Sequence, residues 1–265
     1  MDNLFVRVKA AWEAPAIERK IALTRQAQQD LLAGELALDP VPAALPGLAP
    51  GRPTQPQLVH PRQLQRRSLH TAAGRRVLVH ALAHIEFNAI NLALDAVCRF
   101  QNLPRAYYVD WLRVAVEESG HFQLLQTRLH ELELAYGGLP AHDGLWDMAR
   151  RTAHDPLARM ALVPRVLEAR GLDVTPGMIK QLTASGDTET SRILGIILTD
   201  EIQHVAIGSC WFEFLCQQRD LEPTAEFKRL IDTHFHGQLR GPFNREARLQ
   251  AGFSGAELDE LNQSQ

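Results

Sequence analysis

The chain has 265 residues, 45% of them hydrophobic, which suffices for one core-bearing domain with appendages. A formal charge of -3 excludes a globally basic surface, and three cysteines without a Cys-x-x-Cys pair exclude a disulfide framework and a thiolate-bound electron-transfer iron. The N-terminus shows neither a charged-then-apolar leader nor an apolar run long enough to span a bilayer, so a cytoplasmic protein with no membrane partner is expected.

Along the chain, residues 14–36 carry a helical apolar stripe, and the segment from Leu38 to Pro61, with seven prolines, is an extended connector. From near Ser68 a proline-free stretch, apolar enough for a helix buried on most sides, runs to Leu103-Pro104, and a second helix follows to Tyr136, where Gly137-Gly138-Leu139-Pro140 stops it. These two helices are expected to form an antiparallel hairpin. A short helix near Leu145 to Thr152 precedes Asp155-Pro156, which caps and opens a helix kinked at Pro164 and ended by Gly171. Thr175-Pro176 restarts a turn or two, and Gly186-Asp187 opens the last long helix, residues 187–220. The tail adds a helix from Pro223 to Phe235, the loop HGQLRGPFNREARLQAGF and a final turn near Ala256. The expected fold is all-α, a four-helix bundle of two antiparallel hairpins at 68–218. An N-terminal helical arm with its connector occupies 1–67, and a helical tail packing on the bundle occupies 219–265.

Two copies of Glu-x-x-His stand out, Glu118/His121 and Glu201/His204, and each follows a lone glutamate, Glu86 by 32 residues and Glu168 by 33. Residues three apart share a helix face, so each motif points a carboxylate and an imidazole the same way. Counted from the turns, Glu86 lies 17 residues before Leu103 and Glu118 14 after Pro104, while Glu168 lies 18 before Gly186 and Glu201 14 after Asp187. At about 1.5 Å per residue all four carboxylates reach one level. Their neighbours, among them Leu82, Ile90, Val114, Phe122, Ile197 and Val205, are apolar, so that level is buried. Four buried carboxylates cannot all stay ionised unaided, and two divalent cations supply the missing charge. One Glu-x-x-His arises by chance in about half of chains this long, so the weight rests on the repeated pattern. Carboxylate and imidazole ligands without thiolate suit iron or manganese: two iron ions first, iron/manganese or two manganese as alternatives.

Several residues carry weaker readings. Glu117 and Asp200, each beside a ligand glutamate, are placed to accept the outer N–H of a ligand histidine from an adjacent helix; the plain alternative is a surface ion pair. Arg165, one turn from Glu168, either anchors an anionic substrate or oxidant or pairs with a ligand-side carboxylate. His80 and His84 suit core hydrogen bonding, His84 lying about 200° round the helix from Glu86. Tyr107 and Trp111 share the Glu118 face, where core packing is the plainer role than redox chemistry. Arg62, Arg66, Arg67, Arg75 and Arg76 form a basic run that would grip phosphate or RNA, or serve as a solvated face.

The ligand order Glu86, Glu118/His121, Glu168, Glu201/His204 resembles the ferritin-like superfamily of di-metal carboxylate proteins. The stretches AHIEFNAINLALDA, EESGHF, EARGLDVTP, TDEIQHVAIG and PFNREAR resemble more closely the ferritin-like family catalogued as domain of unknown function 455, over most of the chain. With di-iron tRNA hydroxylases among the relatives, the resemblance implies an oxygen-using di-iron centre. The expected function is an oxidase or hydroxylase that uses molecular oxygen or peroxide and an external electron donor on a small organic or modified-nucleoside substrate. Alternatives are a ferroxidase or iron-handling protein, and a helical binding module in which metal is structural or absent.

Overall fold

The computed structural model describes residues 2–47, 49–64, 67–235, 239 and 241–263. Apart from two strands of two residues, the regular structure in these residues is helical, as an all-α chain requires. The chain divides into two compact units, Met1–Arg150 and Arg151–Gln265. The division falls inside the body expected at 68–218, between its two hairpins.

The first unit opens with β1 (Asp2–Asn3), which pairs in parallel with β2 (Leu36–Ala37). Between them lie α1 (Leu4–Glu13), which the sequence reading did not anticipate, and α2 (Ile17–Leu32), which falls within the stripe expected over 14–36. Pro15 explains the break, because its ring holds Ala14 extended (φ -64°, ψ 119°), and the Asn3 side chain caps α1 by accepting from the Phe5 and Val6 N–H groups. The connector is irregular as expected, with short 3₁₀ turns at Pro42–Ala44 and Pro61–Gln63.

α3 (Ala72–Arg99) begins four residues after Ser68, because the Ser68 carbonyl closes a turn with Thr71 and the Thr71 hydroxyl then caps the helix at Gly74. α4 (Arg105–Glu131) runs antiparallel to it. Arg76 donates to the Leu132 carbonyl, Phe87 packs on Phe122 with ring centroids 5.9 Å apart, and the Tyr107 hydroxyl reaches the Ala96 carbonyl. α4 stops five residues before the expected Tyr136. Glu133 turns left-handed (φ 57°) and Leu134 N–H closes on the Leu129 carbonyl at 2.9 Å. The chain folds back, so that Tyr136 packs 5.1 Å from Phe122 and 5.9 Å from Phe87. α5 (Gly144–Arg151) follows.

In the second unit Asp155 caps α6 (Pro156–Leu162), accepting from Leu157 N–H at 3.0 Å. The kink expected at Pro164 takes the form of a π-helical stretch, Val163–Glu168, which leads directly into α7 (Ala169–Ala184). Gly171 therefore does not end the helix and Thr175-Pro176 does not restart one. Pro176 forgoes one backbone bond inside α7, while Leu172 and Leu182 bury against their surroundings, so packing outweighs local propensity. Gly186 (φ 80°) and an Asp187 cap lead into α8 (Thr188–Gln218).

α8 runs antiparallel to α7, since Thr183 bonds Ser191 and Arg165 reaches Ser209. α9 (Pro223–Phe235) matches the expected bounds. Of the expected loop after it, residues 236–238 and 240 lie outside the described residues. Its later part contains α10 (Arg245–Gln250), capped by Asn244, and the final turn is the longer α11 (Gly255–Gln263).

Gly208 sits where a Cβ would overlap Pro164 Cβ and Cγ, so α8 approaches the π stretch more closely than any side chain allows. Gly208→Val is expected to lower stability by about 1–3 kcal/mol, read as a shifted denaturant midpoint at unchanged slope. An unshifted midpoint would mean that this approach is not required.

By length and composition α3 and α8 each contain a window that could cross a membrane. That of α3 is 72% buried within the protein, as in a core helix of a soluble protein, and that of α8 is 39% buried.

Candidate metal centre

The first unit brings three of the six expected ligands together. Glu86 projects from the middle of α3, and Glu118 and His121 from successive turns of α4; none is more than 3% exposed. His121 Nδ1 donates to Glu118 Oε2 at 3.0 Å and lies 3.4 Å from Glu86 Oε2. Glu86 Oε2 is buried and receives no hydrogen bond. Each of the three residues offers one ligand atom within 4.8 Å of the others, a group that could hold a metal ion.

The electrostatics show what a cation would relieve. Burial, and then the charge of Glu118, push the Glu86 carboxyl up to about 8, with the nearby His121 imidazole opposing. Burial pulls His121 down, but its hydrogen bond to Glu118 and its interactions with both carboxylates outweigh this and push the imidazole up to about 12. The metal-free cluster thus retains protons at sites that a metal needs vacant.

A pH dependence follows. The folded state holds the Glu86 proton from pH 4.5, the ordinary value, up to about 8, so this group makes stability fall as pH rises through that window. The contribution of His121 is complete below 6.5 and is lost as pH rises towards about 12. Metal-free protein is therefore expected to melt lower at about pH 8.5 than at about pH 6, and added divalent metal to stabilise it more at the higher pH while releasing protons. Thermal melts after chelation, with and without added metal, check this; equal stabilisation at both pH values would contradict it.

The second unit holds the repeated motif. Glu168 is the last residue of the π stretch, Glu201 and His204 lie on α8, and His204 is fully buried. Glu201 and Glu168 are partly buried, and the Oε2 atom of each is enclosed. Because Pro164 abuts Gly208 and Arg165 bonds Ser209, the antiparallel register sets Glu168 level with His204.

The surrounding residues divide between their readings. Glu117 accepts from Arg113 Nε at 2.9 Å in a partly exposed i,i+4 pair, which is the surface ion-pair reading. Asp200 is partly buried on α8. Arg165 does not pair with a ligand carboxylate: it bonds Glu257 at 2.8 Å and Ser209 at 3.2 Å, with its guanidinium 4.3–4.6 Å from the rings of Phe212, Phe227 and Phe253. The sequence missed that partner because Glu257 lies 92 residues away. An unread signal was present, however: Ser254 and Glu257 form a capping box.

His80 and His84 hydrogen-bond within the core, to Gly137 N–H and to Tyr136 and Asn88. Tyr107 and Trp111 pack together at 6.3 Å as core aromatics. In the basic run Arg75 bonds the Leu69 carbonyl, Arg76 pairs with Glu133 at 2.6 Å, Arg62 and Arg67 are exposed, and Arg66 lies outside the described residues.

The class so defined is an all-α protein with a buried carboxylate–imidazole cluster able to hold metal. The chain belongs to the family described as Protein of unknown function (DUF455), whose model matches residues 13–259. It is 47% identical over 214 residues to an "Uncharacterized protein" of Haemophilus influenzae, covering 78% of this chain and 74% of that one. No solved structure matches the chain.

Proposed function

We propose that the protein is a ferritin-like, oxygen-activating di-metal oxidoreductase, in which the two helical hairpins join as a four-helix bundle. Glu86, Glu118, His121, Glu168, Glu201 and His204 would hold two iron ions, or iron with manganese. The observation that carries this reading is the cluster on α3 and α4. Two carboxylates and an imidazole are buried together there, Glu86 Oε2 receives no hydrogen bond, and burial followed by the charge of Glu118 holds the Glu86 carboxyl at about 8. The recurrence of lone glutamate and Glu-x-x-His in the second unit supports a second, equivalent set.

The donor set fits the group. Hard carboxylate oxygens with one imidazole per motif suit iron(II) and manganese(II), and no cysteine belongs to either motif. When bound, two such ions would supply the redox equivalents for activating oxygen. The protein's own contribution is to keep the carboxylates dry, to orient His121 through its bond to Glu118, and to give up the protons of Glu86 and His121 when metal enters. Asp200 would orient a ligand imidazole. The substrate would be a small organic molecule or a modified nucleoside, the electron donor a separate reductase, and the compartment the cytoplasm.

Anaerobic loading of purified full-length protein with iron(II), followed by desalting, metal analysis and oxygen uptake in the presence of a reductant, tests the proposal. Two irons per chain with reductant-dependent uptake are expected. Mineralisation of iron far beyond two per chain would favour an iron-handling protein, and less than about half an equivalent would favour a binding module.

A further inference from the structure

The first unit contains a cavity of about 560 Å³ that the metal cluster does not use. Its α3 wall is a stripe at helical spacing: Val77, His80, Ala81, His84, Ile85 and Asn88. Leu139, His142 and Leu145 face them from the segment after α4. Glu86 stands two residues from both His84 and Asn88, about 200° round the helix, so the stripe and the metal cluster occupy different faces of α3.

The polar groups on this wall are biased towards donors. His80 Nε2 accepts from Gly137 N–H at 3.0 Å, leaving the ring proton on Nδ1. His142 Nδ1 accepts from Gly144 N–H at 3.1 Å, leaving its proton on Nε2. The two rings therefore each bring one N–H. Burial pulls His80 down to about 4, so this ring is neutral at physiological pH and donates without carrying charge. Formal charge on the lining comes from Arg67 and Arg76 against the single carboxylate of Glu133, a net of one positive.

We propose that this cavity is a binding site for a small organic acid, an apolar body bearing one carboxylate or phosphate monoester group. The volume lies within the usual range for small-molecule sites, about 300–1,000 Å³. The aliphatic wall of Val77, Ala81, Ile85, Leu139 and Leu145 takes the body, and the imidazole N–H groups and the guanidinium pair take the acid. The site stands whether or not the metal proposal holds.

The test uses full-length protein and the fluorescent sulfonate 1-anilinonaphthalene-8-sulfonate, displaced by decanoate or decyl phosphate, with decanol and decyltrimethylammonium as comparisons. Saturable binding at one site per chain is expected, with at least one acid displacing the probe about tenfold more tightly than the alcohol or the cation. Whichever acid is preferred assigns the headgroup. Ala81→Trp, filling the cavity, should weaken the probe by about tenfold or more, and Arg67→Gln, at an exposed position, should weaken the acids selectively by about fivefold. Arg192→Gln, an exposed position on α8 outside both sites, should bind the probe and the acids as wild type does. The proposal is overturned by absence of saturable binding, by an alcohol as tight as both acids, or by unchanged acid affinity in Arg67→Gln. The last comparison holds even if Ala81→Trp fails to fold.

Discussion

Glu118→Gln is expected to lose the stabilisation that iron(II) or manganese(II) gives the wild type while leaving the metal-free protein as stable as before, or more so. Metal at about 1,000 times its dissociation constant stabilises a single site by about 4 kcal/mol, and this term should vanish or shrink severalfold in the variant. Without metal the effect has the other sign, because the substitution removes the charge that repels Glu86 and keeps an acceptor for His121 Nδ1. Oxygen uptake should be abolished with it. Paired thermal melts, chelated and metal-loaded, read both effects. A variant destabilised equally with and without metal would make Glu118 an ordinary core residue.

Glu257→Ala should be the most damaging single change in the second unit, costing about 3–5 kcal/mol. Arg165 is 1% exposed, among the described residues Glu257 is the carboxylate that hydrogen-bonds it, and truncating that partner strands a guanidinium among three aromatic rings. The same change removes the side chain that accepts from Ser254 N–H at the start of α11. Replacing the pair together, Arg165→Met with Glu257→Leu, should cost far less, since an apolar pair suits the cage of Phe212, Phe227 and Phe253. Denaturant unfolding of the two variants gives the comparison. A loss below about 1 kcal/mol in Glu257→Ala would show that Arg165 does not depend on this carboxylate.

What the sequence made legible follows from how local each cause is. The helical content, the α3–α4 hairpin and the meeting of Glu86 with Glu118 and His121 were readable, because helical periodicity and distance from the turn set them. The helix before Pro15, α1, was equally local and was missed because the stripe was followed only from Ala14 onward. The end of α4 was misplaced because Glu133, a residue without a turn signature, adopts the left-handed conformation that lets Tyr136 pack on Phe122. Gly171 and Pro176 read as punctuation, yet the helix continues through both. Arg165 could not be assigned from its neighbours, because its partners come from α8, α9 and the last residues of the chain.

The central claim, that the six side chains cage two transition-metal ions, is tested most directly by anomalous diffraction at the iron and manganese edges from crystals of the metal-loaded full-length chain. Two peaks are expected, each about 2.0–2.3 Å from carboxylate oxygens and one imidazole nitrogen, with Glu86, Glu118 and His121 among the ligands. Well-ordered density for those three side chains with no anomalous peak beside them would contradict it.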